Sequence, residues 1–345
     1  MHKVLLLGLG FWGNYWMKVI ENNSNAQLAG VAISPDQLEE VKDKYALADD
    51  MIYTDYKEAI EKADADIAVI VLPAVLHFDA ATRAFARGIH VIMEKPLAVD
   101  FDQAKKLVEE KAKYPRIKMM SSQNYRWRPH NQTIRKAIEN GMIGKVQSVL
   151  CEFRQQEDLQ GYRAGLAMPL LGDVCIHHFD LIRFYTGADC EEMYCRVYKP
   201  CWSIFEGLPN TEAIMKMEGD IYVNYNGSWA ARGKESSWDG NFTITGEKGC
   251  LTLDANNDVY FYEHTKDESV VIGTKEIKRE KLPIVEMSET EMDYTLKHFI
   301  ECIETDMEPE TTLLDNIKSF AMVSAGMKSV QTGGVVRVKE LFDNE

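Results

Sequence analysis

An acid and an imidazole four residues apart are the first sign of chemistry in this sequence. Asp173 and His177 lie in the segment GDVCIHHFD, and the pattern predicts one helix over 172–185. Residues four apart share a helix face, and Asp180 would extend the same stripe. A carboxylate beside an imidazole can orient it and raise its basicity. The pair therefore predicts a general base, His177, oriented by Asp173, that removes a hydroxyl proton. A surface pair, or a histidine satisfied in the core, is the alternative.

A lysine at the end of an apolar run is the second candidate. Lys95 lies between Glu94 and Pro96, and a residue before proline is pushed out of the helical region. Ligands of doubly wound sheets bind where the strands end, and an ammonium group there can stabilise a developing alkoxide. Considered alone, Lys95 is better described as a solvated strand-end lysine. Its occurrence together with the Asp173/His177 segment and a glycine turn favours function.

That glycine turn follows the apolar run 4–7 near the start of the chain and has the pattern G-x-G-x-x-G over 8–13. Gly8 permits a tight strand-to-helix turn, Gly10 lets a pyrophosphate approach the backbone, and Gly13 lets the helix pack closely on the strand. The first N–H groups of the helix favour a bound phosphate. The turn predicts dinucleotide binding, and an ordinary tight turn is the alternative.

The elements that must position these residues follow two patterns. Strands and helices alternate up to Ser122, which is typical of a parallel, doubly wound sheet. Consecutive strands over 192–262 predict a large, mostly antiparallel open sheet, followed by two helices. The sequence therefore predicts an α/β protein with a Rossmann domain over 1–122 and a second α/β domain, for substrate binding and oligomerisation, over 123–345.

Composition agrees with this division and excludes several classes of protein. The 345 residues exceed what one core usually holds, and the formal net charge of −15 disfavours nucleic acid and anionic membranes as partners. The seven cysteines show no metal-ligand spacing, so we expect no metal and reduced thiols in a cytoplasmic protein. The first apolar run is too short for a signal peptide, and no run is long enough to span a bilayer.

Three segments together resemble the glucose–fructose oxidoreductase / inositol dehydrogenase / MocA (Gfo/Idh/MocA) family: 8–13, Glu94-Lys95-Pro96 and 172–180. The resemblance covers nearly the whole chain. It implies a Rossmann domain, a second domain with an open antiparallel sheet, and nicotinamide-dependent oxidation of sugars, polyols and related compounds. It also implies that His177 is the base, that Asp173 contacts the substrate or the histidine, and that Lys95 lies between nicotinamide and substrate.

The resemblance extends to a set of expected cofactor contacts. These residues lie in the loops after the strands: Gly8, Gly10, Phe11, Trp12, Gly13, Ser34, Leu72, Pro73, His77, Glu94, Lys95 and Gln123. The family has T-P-N-x-x-H where this chain has Leu72 to His77, so the resemblance does not extend to the ribose contacts of those threonine and asparagine side chains. His77 is interpreted either as a cofactor contact or as an ordinary first-turn helix residue.

Expected substrate contacts lie on both sides of the boundary between the domains. They are Lys95, Tyr125, Arg126, Tyr162, Arg163, Asp173 and His177. The alternative for Tyr162 and Arg163 is an ordinary loop.

The adenine-ribose end of the cofactor site is weakly marked. An acid about twenty residues after the glycines usually binds the ribose, but here the strand runs into Ser34 with no acid before Asp36 and no arginine for a 2′-phosphate. Ser34 can hydrogen-bond the ribose of either NAD or NADP, and the lack of cationic partners slightly favours NAD over NADP.

Aromatic residues of the second domain predict core and subunit contacts, and hence a homodimer or homotetramer: Trp202, Tyr225, Trp229, Trp238 and Phe242.

These patterns predict an NAD(P)-dependent dehydrogenase that acts on a CH–OH group of a sugar, an inositol-like polyol or a sugar derivative. A non-catalytic regulatory protein that binds a dinucleotide is one alternative, and the presence of Lys95, Asp173 and His177 together argues against it. A redox-neutral glycosidase or lyase that uses bound NAD⁺ transiently is the other.

Overall fold

The structure, a computed structural model, describes residues 1–156, 163, 165–264 and 278–343. The chain divides into two compact units, the first formed by 1–127 and 289–317 and the second by 128–288 and 318–345. The predicted second domain starts at 123, whereas 123–127 and 289–317 belong to the first compact unit. No helix in the described residues is long and apolar enough to cross a membrane.

The first unit is built on a six-stranded sheet in which every pair of neighbours is parallel. Its strands are β1 (His2–Leu7), β2 (Ala26–Ala32), β3 (Ile52–Tyr53), β4 (Ile67–Ile70), β5 (His90–Met93) and β6 (Met119–Ser121), in the order β3-β2-β1-β4-β5-β6. Its helices between the strands are α1 (Phe11–Asn22), α2 (Leu38–Tyr45), α3 (Tyr56–Lys62), α4 (His77–Ala86) and α5 (Phe101–Ala112). This confirms the doubly wound sheet, and its strand order reverses between β1 and β4, where such sheets bind ligands.

The core of this unit explains why the segment 289–317 belongs to it. Val4 to Leu7 of β1 are fully buried, as expected for a parallel strand covered on both faces. Helix α9 (Glu291–Glu304) adds Leu296 and Phe299 to the same apolar cluster that contains Val19 and Ile20 of α1. These apolar positions recur at helical spacing, so α9 buries one face in this core.

The second unit contains a nine-stranded sheet in the order β14-β13-β12-β11-β7-β10-β9-β8-β15. Its strands are β7 (Val146–Arg154), β8 (Cys190–Tyr198), β9 (Asn210–Met217), β10 (Ile221–Ser228), β11 (Asn241–Gly246), β12 (Gly249–Leu253), β13 (Val259–Glu263), β14 (Arg279–Lys281) and β15 (Val336–Arg337). The β7–β10 pair is parallel and every other pair is antiparallel, which confirms the predicted large, mostly antiparallel sheet.

Helices of the second unit include the predicted acid–imidazole segment. They are α6 (Pro129–Glu139), α7 (Pro169–Asp173), α8 (Cys175–Thr186) and residues 318–332 of α10 (Leu313–Thr332).

The five aromatic residues named above do not share one environment. Tyr225, Trp229 and Phe242 are fully buried, whereas Trp202 is 45% exposed and Trp238 38% exposed. The first three therefore belong to the core of the second unit, and only the last two present part of their rings to solvent.

Candidate functional site

The glycine turn at the end of β1 is sterically constrained at two of its three glycines. Gly8 has a φ of +102°, and a Cβ there would lie 2.7 Å from the Val71 carbonyl oxygen. A Cβ on Gly13 would lie 2.2 Å from the carbonyl oxygen of Gly8. Neither site admits a larger side chain without a backbone shift, so α1 can start this close to the sheet only with glycine at both positions.

Gly10 differs, because a Cβ there would meet no atom within 4 Å. It is the N-cap of α1, and the first turn of α1 contains no acidic side chain. Open space in front of a glycine at a helix N-terminus suits an anionic group, which the N–H groups and the helix dipole favour. Phe11 and Trp12 lie beside it, 75% and 37% exposed, with ring centroids 5.0 Å apart.

The loop after β2 is tied to the glycine turn by a glutamine. The Gln37 side-chain oxygen accepts hydrogen bonds from the Ser34 backbone N–H at 3.2 Å and from the Ser34 hydroxyl at 2.9 Å. The Gln37 side-chain nitrogen donates to the Leu9 carbonyl oxygen at 3.0 Å. Ser34 itself is exposed. No pattern in the sequence reveals this contact between Gln37 and Leu9, which lie 28 positions apart.

A buried acid joins the end of β5 to α1. Glu94 is 7% exposed, and its carboxylate accepts a hydrogen bond from the Trp16 indole N–H at 2.9 Å. Burial raises the pKa of Glu94, and the Trp16 indole opposes that rise. Glu94, expected as a cofactor contact, therefore holds α1 against the strand end that carries Lys95. Sequence reasoning missed Trp16, which looked like an ordinary apolar residue of α1.

His77 lies between two backbone segments of the same unit and is 1% exposed. Its Nε2 lies 2.7 Å from the Leu72 carbonyl oxygen, and its Nδ1 lies 2.9 Å from the Pro96 carbonyl oxygen. Burial is the largest effect on this side chain and lowers the pKa of His77, while the two carbonyl groups raise it. Both ring nitrogens are thus occupied by backbone.

The acid–imidazole segment departs from the prediction of one continuous helix over 172–185. Helix α7 ends at Asp173, Val174 interrupts the helix, and α8 begins at Cys175. The backbone N–H of His177 donates a hydrogen bond to the carbonyl oxygen of Val174, three residues back, at 2.9 Å. The four-residue rule for a shared face assumes a regular helix, which this tighter turn interrupts, so the orientation of His177 by Asp173 stays a prediction.

Two of the expected substrate contacts meet in this segment. The Arg163 Nε–H donates to Asp173 Oδ2 at 2.6 Å, a charge-assisted hydrogen bond. His177 is 7% exposed. Asp180 accepts a hydrogen bond from the Ser319 hydroxyl at 2.7 Å, which anchors α8 on α10. Tyr162 lies outside the described residues.

His178, beside the proposed base, has a well-defined hydrogen-bonding pattern. Its Nε2 lies 3.0 Å from the Trp238 carbonyl oxygen, and its Nδ1 lies 2.9 Å from the Tyr225 hydroxyl. Burial lowers the pKa of His178 to about 4. The neutral ring must donate from Nε2, because a carbonyl only accepts, and Nδ1 then accepts from Tyr225. His178 therefore fixes α8 to the sheet through β10.

Residues after β6 were expected to contact ligands, and the structure gives some of their surroundings. Arg126 is buried, and its Nη2 donates to Asp315 Oδ2 at 2.9 Å. Gln123 is 1% exposed, and Tyr125 is half-buried. In the described parts of the chain, no three His, Cys, Asp or Glu side chains cluster as metal ligands.

Comparison with known families decides the general class of this protein. A family model described as "Oxidoreductase family, NAD-binding Rossmann fold" matches residues 2–122, and the "GFO/IDH/MocA C-terminal domain" model matches residues 131–252. The chain belongs to the Gfo/Idh/MocA oxidoreductase family. Its first unit is an NAD-binding Rossmann fold, and the open space at Gly10 fits the diphosphate of that cofactor. The predicted family and the nicotinamide cofactor are both confirmed, without a distinction between NAD and NADP.

Individual relatives extend over most of the chain. An inositol 2-dehydrogenase of Pseudarthrobacter chlorophenolicus is 26% identical over 266 residues, which cover 73% of this chain and 76% of the relative. A D-apiose dehydrogenase of Paraburkholderia graminis is 23% identical over 346 residues, covering 98% and 90%. The crystal structure of an Agrobacterium radiobacter oxidoreductase in complex with NAD⁺, L-tartaric acid and magnesium has a TM-score of 0.87 at 21% identity, covering 99% of each chain. This similarity shows that the fold is shared.

Proposed function

We propose that this protein transfers a hydride between a CH–OH group of a sugar, polyol or sugar derivative and a nicotinamide dinucleotide. The observation that carries the proposal is the glycine turn, which leaves space at Gly10 beside the start of α1 while Glu94 holds the strand end that carries Lys95. Relatives named as inositol and apiose dehydrogenases support a polyhydroxylated substrate.

The residues of this chain divide the chemistry in the following way. The nicotinamide, when bound, supplies the acceptor for the hydride that leaves carbon. His177 takes the proton of the substrate hydroxyl, and a positioned base of this kind typically contributes about 10²–10⁴ in rate. Lys95 donates a hydrogen bond to the same oxygen and stabilises its developing charge as the carbonyl forms. The Arg163–Asp173 pair presents a donor and an acceptor that suit the remaining hydroxyl groups of the substrate.

Quaternary structure is part of the proposal, because the sheet of the second unit presents apolar side chains to solvent. Ile214 is 57% exposed, Tyr222 53% and Leu150 40%, on adjacent strands β9, β10 and β7. Apolar side chains exposed together on one sheet favour association. We infer a homodimer or homotetramer that covers this surface.

The test of the activity is NADH or NADPH formation, followed by absorbance, with NAD⁺ and NADP⁺ in parallel and a panel of sugars, inositols and sugar acids. We expect at least one polyhydroxylated substrate to reduce the cofactor. Tight NAD⁺ that co-purifies without net release of NADH would instead favour the redox-neutral alternative. A cofactor that binds and stays oxidised with every compound would favour the regulatory alternative.

Variants of the two proposed catalytic residues test the mechanism. Lys95→Ala and His177→Ala should each lower kcat by about 10² or more, while the Kd for dinucleotide changes little. Lys106→Ala and His264→Ala, at exposed positions, serve as matched controls that keep wild-type kinetics. Unchanged turnover in both Lys95→Ala and His177→Ala would contradict the assigned roles.

A further inference from the structure

His77 links two loops that leave neighbouring strands of the Rossmann sheet. Leu72 follows β4, and Pro96 follows β5 directly after Lys95. The imidazole lies between their carbonyl oxygens, at 2.7 Å from Leu72 and 2.9 Å from Pro96. Because β4 and β5 are paired up to Ile70 and Met93, the histidine continues the connection between the strands beyond the last ladder residues.

The chemistry of these contacts is restrictive. A carbonyl oxygen can only accept, so every hydrogen bond here must be donated by the ring. A neutral imidazole donates to one carbonyl and an imidazolium to both, so at least one loop is held in either protonation state. Since the side chain is 1% exposed and both nitrogens face backbone, neither nitrogen is left to bond a dinucleotide.

A second contact makes the arrangement around Lys95 more rigid. Glu94, on the other side of Lys95, accepts the Trp16 N–H at 2.9 Å. The backbone that carries Lys95 is therefore held from α1 on one side and from α4 on the other. Displacing a reacting group by about 1 Å can cost on the order of 10² in rate, so such holding matters for a lysine that acts on substrate.

We propose that His77 is a positioning residue that holds Lys95 through the Pro96 carbonyl group and the loop after β4 through the Leu72 carbonyl group. The assignment to Lys95 rests on the proposed function. In this proposal His77 does not contact the cofactor. It acts through the backbone carbonyl groups that its ring contacts. The two contacts have separable consequences, because the Pro96 contact bears on the chemical step and the Leu72 contact on cofactor affinity.

Two amide variants separate these contacts. In His77→Asn the side-chain N–H₂ replaces Nδ1 and keeps a donor toward Pro96, whereas in His77→Gln it replaces Nε2 and keeps a donor toward Leu72. We expect His77→Asn to keep kcat near wild type and to raise the dinucleotide Kd about tenfold. His77→Gln should keep that Kd and lower kcat by about tenfold or more.

Further variants complete the design. His77→Leu removes both donors and should impair both parameters. His90→Gln, at the opposite end of β5, is the matched control and should retain both wild-type values. The proposal would be overturned if His77→Asn and His77→Gln both lost kcat and dinucleotide affinity to the same extent, in proportion to their loss of folding stability. Wild-type kinetics and affinity in His77→Leu would do the same.

A measurement on the wild-type protein covers the case in which the variants do not fold. In ¹⁵N-histidine-labelled protein, the His77 ring N–H, assigned by its proximity to Pro96 protons, should be protected from exchange with water. A ring N–H that exchanges as fast as that of the exposed His264 would overturn the proposal. A wild-type protein that binds dinucleotide but oxidises no substrate would contradict the proposed function alone. The role of His77 would still be tested by dinucleotide affinity and by exchange of its ring proton.

Discussion

Two glycines in one turn should respond to alanine in opposite ways, although the sequence presents them as parts of one motif. A Cβ on Gly13 would lie 2.2 Å from the carbonyl oxygen of Gly8, well inside van der Waals contact. That oxygen belongs to the backbone and cannot rotate away. A Cβ on Gly10 would meet nothing within 4 Å. We therefore predict that Gly13→Ala damages folding and that Gly10→Ala damages dinucleotide binding.

The magnitudes follow from the competing terms. Alanine stabilises a helix interior by about 1 kcal/mol relative to glycine, but forcing extra atoms into a packed region costs about 1–3 kcal/mol and more where backbone must shift. A contact of 2.2 Å with backbone lies at the upper end of that range, so Gly13→Ala should lose about 2 kcal/mol of stability net. For Gly10→Ala the gain in chain stiffness of about 0.4–1 kcal/mol opposes the loss of a favourable N-cap, so stability should stay within about 0.5 kcal/mol of wild type.

The assay combines urea unfolding without cofactor and titration with NAD⁺ and NADH for both variants and the wild type. Gly10→Ala should weaken dinucleotide binding by about tenfold or more, because the methyl group occupies the space at the helix N-terminus. Gly13→Ala with wild-type stability would show that α1 can move off the sheet freely. Gly10→Ala with wild-type affinity would show that the diphosphate does not approach this backbone.

Three further predictions concern pH, cofactor choice and assembly. Because burial lowers the pKa of His178 to about 4 from an ordinary 6.5, the folded protein binds fewer protons than the unfolded chain between these pH values. The free energy of unfolding should therefore fall by about 3 kcal/mol from this group as the pH falls from 6.5 to 4. In urea unfolding across this range, the free energy of unfolding of His178→Gln should depend less on pH than that of the wild type. The same pH dependence in both proteins would contradict the lowered pKa of His178. NAD⁺ should bind more tightly than NADP⁺ in parallel titrations, since Ser34 and Asp36 offer a 2′-phosphate no positive charge; tight NADP⁺ with weak NAD⁺ would reverse this preference. Sedimentation at micromolar concentration should show a dimer or tetramer, and Ile214→Lys should shift it toward monomer; a wild-type monomer would refute the inferred assembly.

Local patterns in the sequence were enough for the architecture and for the general chemistry. The buried apolar run of β1, the glycine turn and the alternation of strands and helices up to Ser122 are consequences of burial and backbone geometry within a few residues. The same is true of the consecutive strands of the second unit. The Gfo/Idh/MocA family followed from three short motifs, and the comparisons confirm it.

What the tertiary structure decided are the contacts between residues far apart along the chain. Trp16 meets Glu94 across 78 positions, His77 meets Pro96 across 19, and α9 returns to the core of the first unit. No local propensity encodes such pairings, because they depend on the order of strands in the sheet and on the core into which each apolar helix face packs. Val174 shows the same limit at short range, since the local pattern predicts a regular helix where the chain forms a tighter turn. The residue types able to do chemistry could therefore be read along the chain, whereas the groups that hold them in place emerged only when distant segments were brought together.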